Sequence, residues 1–131
     1  MKINVISTGS SGNLYELLDS EGNSIILEAG EPRHKYLKYK IGALPPEMCI
    51  VSHGHMDHSH YIGEYRAIVP TYLAQEQNVS EHFKAFGFPV KHGEGTSTAY
   101  IIKSLVENDF LFFGTDFEYA DYVDLFANLH H

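Results

Sequence analysis

The chain has 131 residues, enough for one domain of ordinary size with a modest core. Its hydrophobic content of 44% against 20% charged residues reads as a globular protein rather than a disordered one. The net charge of −8, from 9 Lys and Arg against 17 Asp and Glu, argues against a general grip on nucleic acid. No apolar run reaches the length of a membrane span, and no basic stretch precedes an apolar signal core, so the expectation is a cytoplasmic protein without a membrane partner.

Residues 2–8 alternate apolar and polar side chains and predict a strand. The turn Gly9-Ser10-Ser11-Gly12-Asn13 leads into a second strand over residues 14–18. Ser20-Glu21-Gly22-Asn23 is a hairpin signal, and residues 24–28 pair back as a third strand. Pro32 opens a helix and Gly42 closes it. Arg33, Lys35, Lys38 and Lys40, with His34 between them, form either a solvated helix face or a basic patch turned toward a phosphate-bearing substrate. Pro45-Pro46 resets the chain before a strand over residues 48–51. The single cysteine, Cys49, lies in that strand; it excludes an intrachain disulfide and reads as a buried structural thiol.

Directly after this strand comes Ser52-His53-Gly54-His55-Met56-Asp57-His58, three histidines and an aspartate crowded together. Imidazoles and carboxylates are the ligands that suit zinc, and also iron or manganese. A buried strand that empties into such a cluster delivers its ligands from a rigid base. His53 and His55 can point the same way and chelate one ion, while Asp57 and His58, at the start of the next helix, face a second position. Asp57 has two other readings, as a helix cap or as a group that orients a histidine.

Farther on, residues 59–67 predict a short helix with Tyr61, Ile62 and Tyr65 inward, and residues 68–73 an extended segment. Residues 74–86 predict a helix with Val79, Phe83 and Phe86 on one face and Gly87 as its C-cap. Strands follow over residues 88–91, 98–103 and 110–113. His92 ends the first of these and precedes Gly93. Asp116 follows the last, at a place where a turn-forming aspartate is also common. Residues 119–127 have helical spacing through Tyr122, Val123 and Phe126. His34, His60 and His82 read as ordinary surface histidines, His60 being near enough to the cluster to touch a substrate. Strands first, then helices interleaved with strands, predict an α+β fold: a sheet sandwich with helices on its outer faces, forming one domain over residues 1–131.

These segments together resemble the metallo-β-lactamase superfamily. The histidine motif is its most specific element. The Gly9 to Asn13 turn resembles the one joining the first two strands, and Ile25-Ile26-Leu27-Glu28-Ala29-Gly30 the strand ending in an acid, a small residue and glycine. Val90-Lys91-His92-Gly93 and Phe113-Gly114-Thr115-Asp116 resemble the strands that carry the next histidine and a metal-bridging aspartate. The resemblance implies an αββα sandwich with His53, His55 and His92 on a first metal ion, and Asp57 and His58 on a second, bridged by Asp116. It makes Asp57 and Asp116 the catalytic carboxylates and a metal-bound hydroxide the nucleophile, with the ions also polarising the bond attacked.

The glycine-serine turn is similar to that of phosphodiesterase and nuclease-like members, so a phosphodiester in a small-molecule or nucleotide-type substrate is the leading expectation. The alternatives are hydrolysis of a lactone, thioester or β-lactam, and a catalytically weak metal-binding protein that acts through a partner. Two departures stand out. Glu28 occupies a position where the family usually has aspartate. The family also continues past the bridging aspartate to a final histidine, whereas only His130 and His131 remain here. The expectation is therefore a C-terminally incomplete fold with a weak second metal site and little phosphodiester turnover. An open last strand and the apolar Tyr119, Tyr122, Val123, Leu125 and Phe126 further predict a homo-oligomer joined through the C-terminal third.

Overall fold

The computed structural model describes residues 1–93 and 95–114. The first three strands, β1 (Lys2–Ser7), β2 (Leu14–Leu18) and β3 (Ser24–Leu27), form an antiparallel meander. Its second turn closes because the Asp19 carboxylate accepts from the Glu21 and Asn23 backbone N–H groups and from the Asn23 side chain. Helix α1 (Arg33–Tyr39) then crosses to β4 (Cys49–Val51), which lies parallel to β3. Two short helices, α2 (Met56–Ser59) and α3 (Ile62–Arg66), lead to β5 (Thr71–Leu73), parallel to β4. The result is a five-stranded sheet in the order β1-β2-β3-β4-β5.

The second sheet has the order β6-β7-β8-β9, built from β6 (Gln77–Val79), β7 (Phe83–His92), β8 (Gly95–Ser104) and β9 (Asp109–Phe113), all antiparallel. The two sheets pack face to face. Tyr15, Leu17, Ile25, Leu27, Met48 and Ile50 from the first meet Phe83, Ala85, Tyr100, Ile102 and Phe113 from the second. Alternate residues of the first sheet turn outward, where Leu14, Ile26, Cys49 and Val51 are sealed by Tyr36 of α1 and Tyr65 of α3. Burial pushes the Cys49 thiol well above its ordinary range, with the Glu28 charge adding to it, as suits a structural rather than a reactive thiol.

The protein is thus an α+β sandwich, and most predicted strands fall where expected. The segment over residues 74–86 is different: it is no helix but β6, a turn and the first part of β7. Of the three residues assigned to one helical face, only Phe83 is buried; Val79 and Phe86 stand out from the sheet. Gly87 is no C-cap. It sits in mid-strand, where an added Cβ would lie 2.3 Å from the Gln75 carbonyl oxygen. The predicted helix over residues 59–67 is likewise divided, because Tyr61 leaves the helical region at φ −106° and ψ 21°. Helix α1 stops at Tyr39, before Gly42, whose amide donates to the buried Glu16 carboxylate instead.

No described helix lies over the outer face of the second sheet, and β9 is an edge strand among the described residues. No helix among them is long and apolar enough to cross a membrane. The predicted helix over residues 119–127 lies outside the described residues, as do Asp116, His130 and His131.

Candidate metal centre

The site is assembled at the end of β4. All three strand residues are fully buried, so the loop that follows starts from a fixed point. Beneath it lies Glu28, just past β3, fully buried with φ at +72°. A left-handed backbone at a non-glycine residue is uncommon and costs on the order of 1–3 kcal/mol. Two bonds hold it in place: the Glu28 amide donates to Ile50 O at 2.8 Å, and the next amide, Ala29, donates to His58 O at 2.7 Å. The turn carries the carboxylate under the histidine loop. There it accepts from the Ser52 backbone N–H and the Ser52 hydroxyl, each at 2.7 Å, and from His58 Nδ1.

This network assigns the imidazole tautomers. Ser52 has one hydroxyl proton and gives it to Glu28, so His53 Nδ1, 2.8 Å from Ser52 Oγ, must carry its own proton and donate. Ser97 Oγ of β8 lies 3.2 Å from the same nitrogen. His58 Nδ1 donates to Glu28 by the same logic. In the neutral form of both rings Nε2 is then the lone-pair nitrogen. His58 Nε2 lies 3.3 Å from Asp57 Oδ2, so two electron-rich atoms face one another, an arrangement that calls for a proton or a cation. The His53 ring centroid is 4.5 Å from that of His55 and 4.2 Å from that of His58. Glu28, His53 and His58 each offer a ligand atom within 4.8 Å of the others. Neutral imidazoles whose far nitrogens are bonded to carboxylate or hydroxyl partners are the donor set a transition metal requires. The residues fit such an ion, with Glu28 bonded to three donors and serving as orienter.

Beside the imidazoles, Thr8, Gly9, Ser10, Asn13, Tyr15, Asp57 and His58 line a cleft of about 390 Å³. Asn13 buckles the glycine-serine turn to the metal loop. Its backbone N–H donates to Asp57 O at 2.7 Å, and its Nδ2 donates to Asp57 O and Gly9 O, each at 3.1 Å. Gly30 completes the join by donating to Asn13 O at 2.9 Å. A Cβ on Gly30 would lie 1.9 Å from Asp57 O, which explains glycine two places after the acidic residue.

No protein-family model and no curated protein matches the sequence. The three-dimensional arrangement does match. It is similar to the crystal structure of the metallo-beta-lactamase fold protein YhfI from Bacillus subtilis, with a TM-score of 0.58 over 77% of this chain at 17% identity. The chain has the metallo-β-lactamase fold. It spans 56% of the YhfI chain, so the fold is incomplete relative to that structure.

Within the metallo-β-lactamase fold, His53, His55, Asp57 and His58 lie side by side, with His53 and His58 buried and His55 at the rim. His92 is the last residue of β7, and its backbone pairs with Gly95 across a tight turn in which Gly93 has φ +59°. The strand after that turn supplies Ser97 to His53, and its Thr98 amide donates to Ser52 O at 2.9 Å. Glu28 reaches Ser52 and His58 from its left-handed backbone.

Ser97 escaped the sequence reading altogether, because one hydroxyl in a strand carries no signal of its own. The basic cluster of α1 is engaged locally, which favours the solvated reading: Lys35 pairs with Glu31 at 3.2 Å, and Lys38 and Lys40 lie over Tyr39 and Tyr36. His60 is exposed and stacks on Tyr61. His82 is not on a helix but in the turn before β7, bonded to Glu47.

Proposed function

We propose that the protein is a metal-dependent hydrolase acting on phosphodiesters of a small-molecule or nucleotide-type substrate, with zinc as its ion. Manganese and iron suit the same ligands. The observation that carries this reading is the cluster His53, His55 and His58 seated on the Glu28, Ser52 and Ser97 network. A bound divalent cation would supply an acidified water and neutralise charge on a phosphoryl oxygen. His53 would hold it through its Nε2, joined by His55 and, as the resemblance implies, by His92. Asp57 and His58, with Asp116, would serve a second position.

Glu28 keeps the proton on His58 Nδ1 and so keeps Nε2 available as a donor. Asn13 fixes the Asp57 backbone, which sets where that carboxylate enters the cleft. The cleft walls favour a phosphodiester over a lactone, thioester or β-lactam. Thr8, Ser10, Asn13, Asp57 and His58 are polar, and Tyr15 is the one large aromatic side chain among the lining residues, its hydroxyl donating to Asn13.

Elemental analysis tests the metal centre. The wild type should retain zinc after dialysis, and His53→Ala/His55→Ala should lose it; equal zinc in both would reject the centre. Turnover of bis(4-nitrophenyl) phosphate with added zinc or manganese tests the chemistry. It should fall roughly 100-fold in Asp57→Ala if that carboxylate is a ligand. Hydrolysis of a lactone or thioester with none of the phosphodiester would transfer the assignment to acyl chemistry. Zinc binding without turnover of any ester would favour the interaction protein.

A further inference from the structure

One hydroxyl on the wall of the cleft beside the histidines is placed to meet a substrate. Thr8 follows β1 directly, is exposed, and lines the cleft together with Asp57 and His58. Its hydroxyl has a single hydrogen-bond neighbour among the described residues, the Tyr15 hydroxyl at 3.3 Å. Ser10, on the same wall, makes no hydrogen bond among the described residues, so nothing aims its hydroxyl.

Counting protons shows which way the Thr8 hydroxyl points. The Asn13 amide can be oriented in one way only, because its Nδ2 faces two carbonyl oxygens, Gly9 O and Asp57 O, each at 3.1 Å. Its Oδ1 therefore faces the Gly9 N–H at 3.3 Å and the Tyr15 hydroxyl at 3.1 Å. An amide oxygen only accepts, so the single phenol proton of Tyr15 goes to Asn13. Toward Thr8 the Tyr15 oxygen is then an acceptor, and Thr8 is the donor. Tyr15 is not free to tighten that contact. It is 9% exposed, in the core between the sheets, with the Phe113 ring 5.4 Å away. The Thr8 proton thus rests on a neutral oxygen well beyond the usual spacing of about 2.7–2.8 Å for two hydroxyls.

We propose that Thr8 is the residue by which this cleft selects an anionic substrate oxygen, donating its hydroxyl proton to a non-bridging oxygen of the phosphodiester. This role rests on the phosphodiester reading and adds to it a side chain outside the metal-ligating set. An anionic oxygen draws the proton away from Tyr15, because a hydrogen bond to a charged acceptor is roughly twice as strong as a neutral one. A neutral ester oxygen offers no such gain, since one neutral bond merely replaces another. Thr8 therefore discriminates by the charge of the acceptor rather than by its shape.

A matched pair of ligands tests it on the zinc-loaded protein: diethyl phosphate, an anionic diester, and triethyl phosphate, its neutral counterpart, each titrated by phosphorus NMR. Thr8→Val removes the hydroxyl and keeps the branched shape at an exposed position, so the fold and the zinc content should be those of the wild type. Diethyl phosphate should bind Thr8→Val roughly 10-fold more weakly, and Thr8→Ser should recover most of the affinity. Triethyl phosphate should bind all three proteins alike. Equal affinity of wild type and Thr8→Val for diethyl phosphate would overturn the role of Thr8 and leave the phosphodiester reading standing. An equal loss for both ligands would overturn it too, by showing that Thr8 shapes the cleft rather than senses charge. A wild type with no affinity for diethyl phosphate would overturn the phosphodiester reading itself, and the role of Thr8 with it.

Discussion

Glu28 shows how much one side chain can set at this site. Its carboxylate holds Ser52 by two bonds and His58 by a third, and through Ser52 it settles the tautomer of His53. Glu28→Gln keeps the shape but replaces an acceptor with a donor, so the Ser52 and His58 bonds cannot all survive. Removing a partner from a buried polar group costs about 1–3 kcal/mol, and losing the orienter of a metal-bound histidine typically weakens the metal by about 10–100-fold. We expect Glu28→Gln to remain folded and to bind zinc in that weaker range, measured by competition with a chelating dye. Unchanged affinity would show that Glu28 serves the fold alone. The histidine loop was legible in the sequence because its histidines and Asp57 are clumped within a few residues behind an apolar strand. Glu28 was legible as a strand-end acid, but its reach depends on a φ of +72° that no composition reveals. Ser97 comes from 44 positions away, and such a distant hydroxyl becomes meaningful only once β8 is placed.

Among the elements, β7 is, with β6, one that sequence periodicity misassigned. Its inward residues, Phe83 and Ala85, alternate with Lys84 and Phe86, and Phe88 continues the outer row. Because the outer row is also largely apolar, the period of two is blurred and a helical spacing through Val79, Phe83 and Phe86 emerges in its place. Tertiary contact decides the matter at Gly87. A methyl group there would meet the Gln75 carbonyl oxygen at 2.3 Å and the Thr98 and Tyr100 side chains at 2.9 and 3.0 Å. Gly87→Ala should therefore cost about 1–3 kcal/mol by overpacking, read as a lower denaturation midpoint with an unchanged slope. A helix C-cap in the same position would have produced no such clash, so the variant separates the two descriptions of this segment. The strands around β2, β3 and β4 were easier to read, since their turns carry strong signals and each run is short and apolar.

At the scale of the molecule, polar links tie the two sheets together as well as the core does. Glu47, just before β4, accepts from the His82 ring at 2.6 Å, from the His82 backbone N–H at 2.8 Å and from the Ser80 hydroxyl at 2.7 Å, all in the turn leading into β7. The Glu47 hydrogen bond is the main cause that raises the His82 pKa. Burial pushes Glu47 upward, but the bonds from His82 and Ser80 outweigh it and leave the carboxyl lowered. The His82 contribution is complete below its ordinary value of about 6.5 and is lost as pH climbs through the raised value. The Glu47 contribution is complete above its ordinary value of about 4.3 and is lost as pH falls through the lowered one. Wild type and His82→Ala should therefore differ most in melting temperature between roughly pH 4.3 and 6.5 and converge in alkali. A difference independent of pH would mean that His82 acts by packing.

The clamp of β8 on the histidine loop has a consequence of its own. Thr98 donates to Ser52 O at 2.9 Å, the Tyr100 hydroxyl donates to Val51 O at 2.9 Å, and Ser97 reaches His53, so the second sheet grips the loop at three successive points. An ion bound only by the native loop adds its binding free energy to every opening that must break that grip. Amide exchange in β8 then becomes a gauge of occupancy. The Thr98 amide should slow in step with zinc concentration, while the Val79 amide on the far edge of the same sheet should exchange at an unaltered rate.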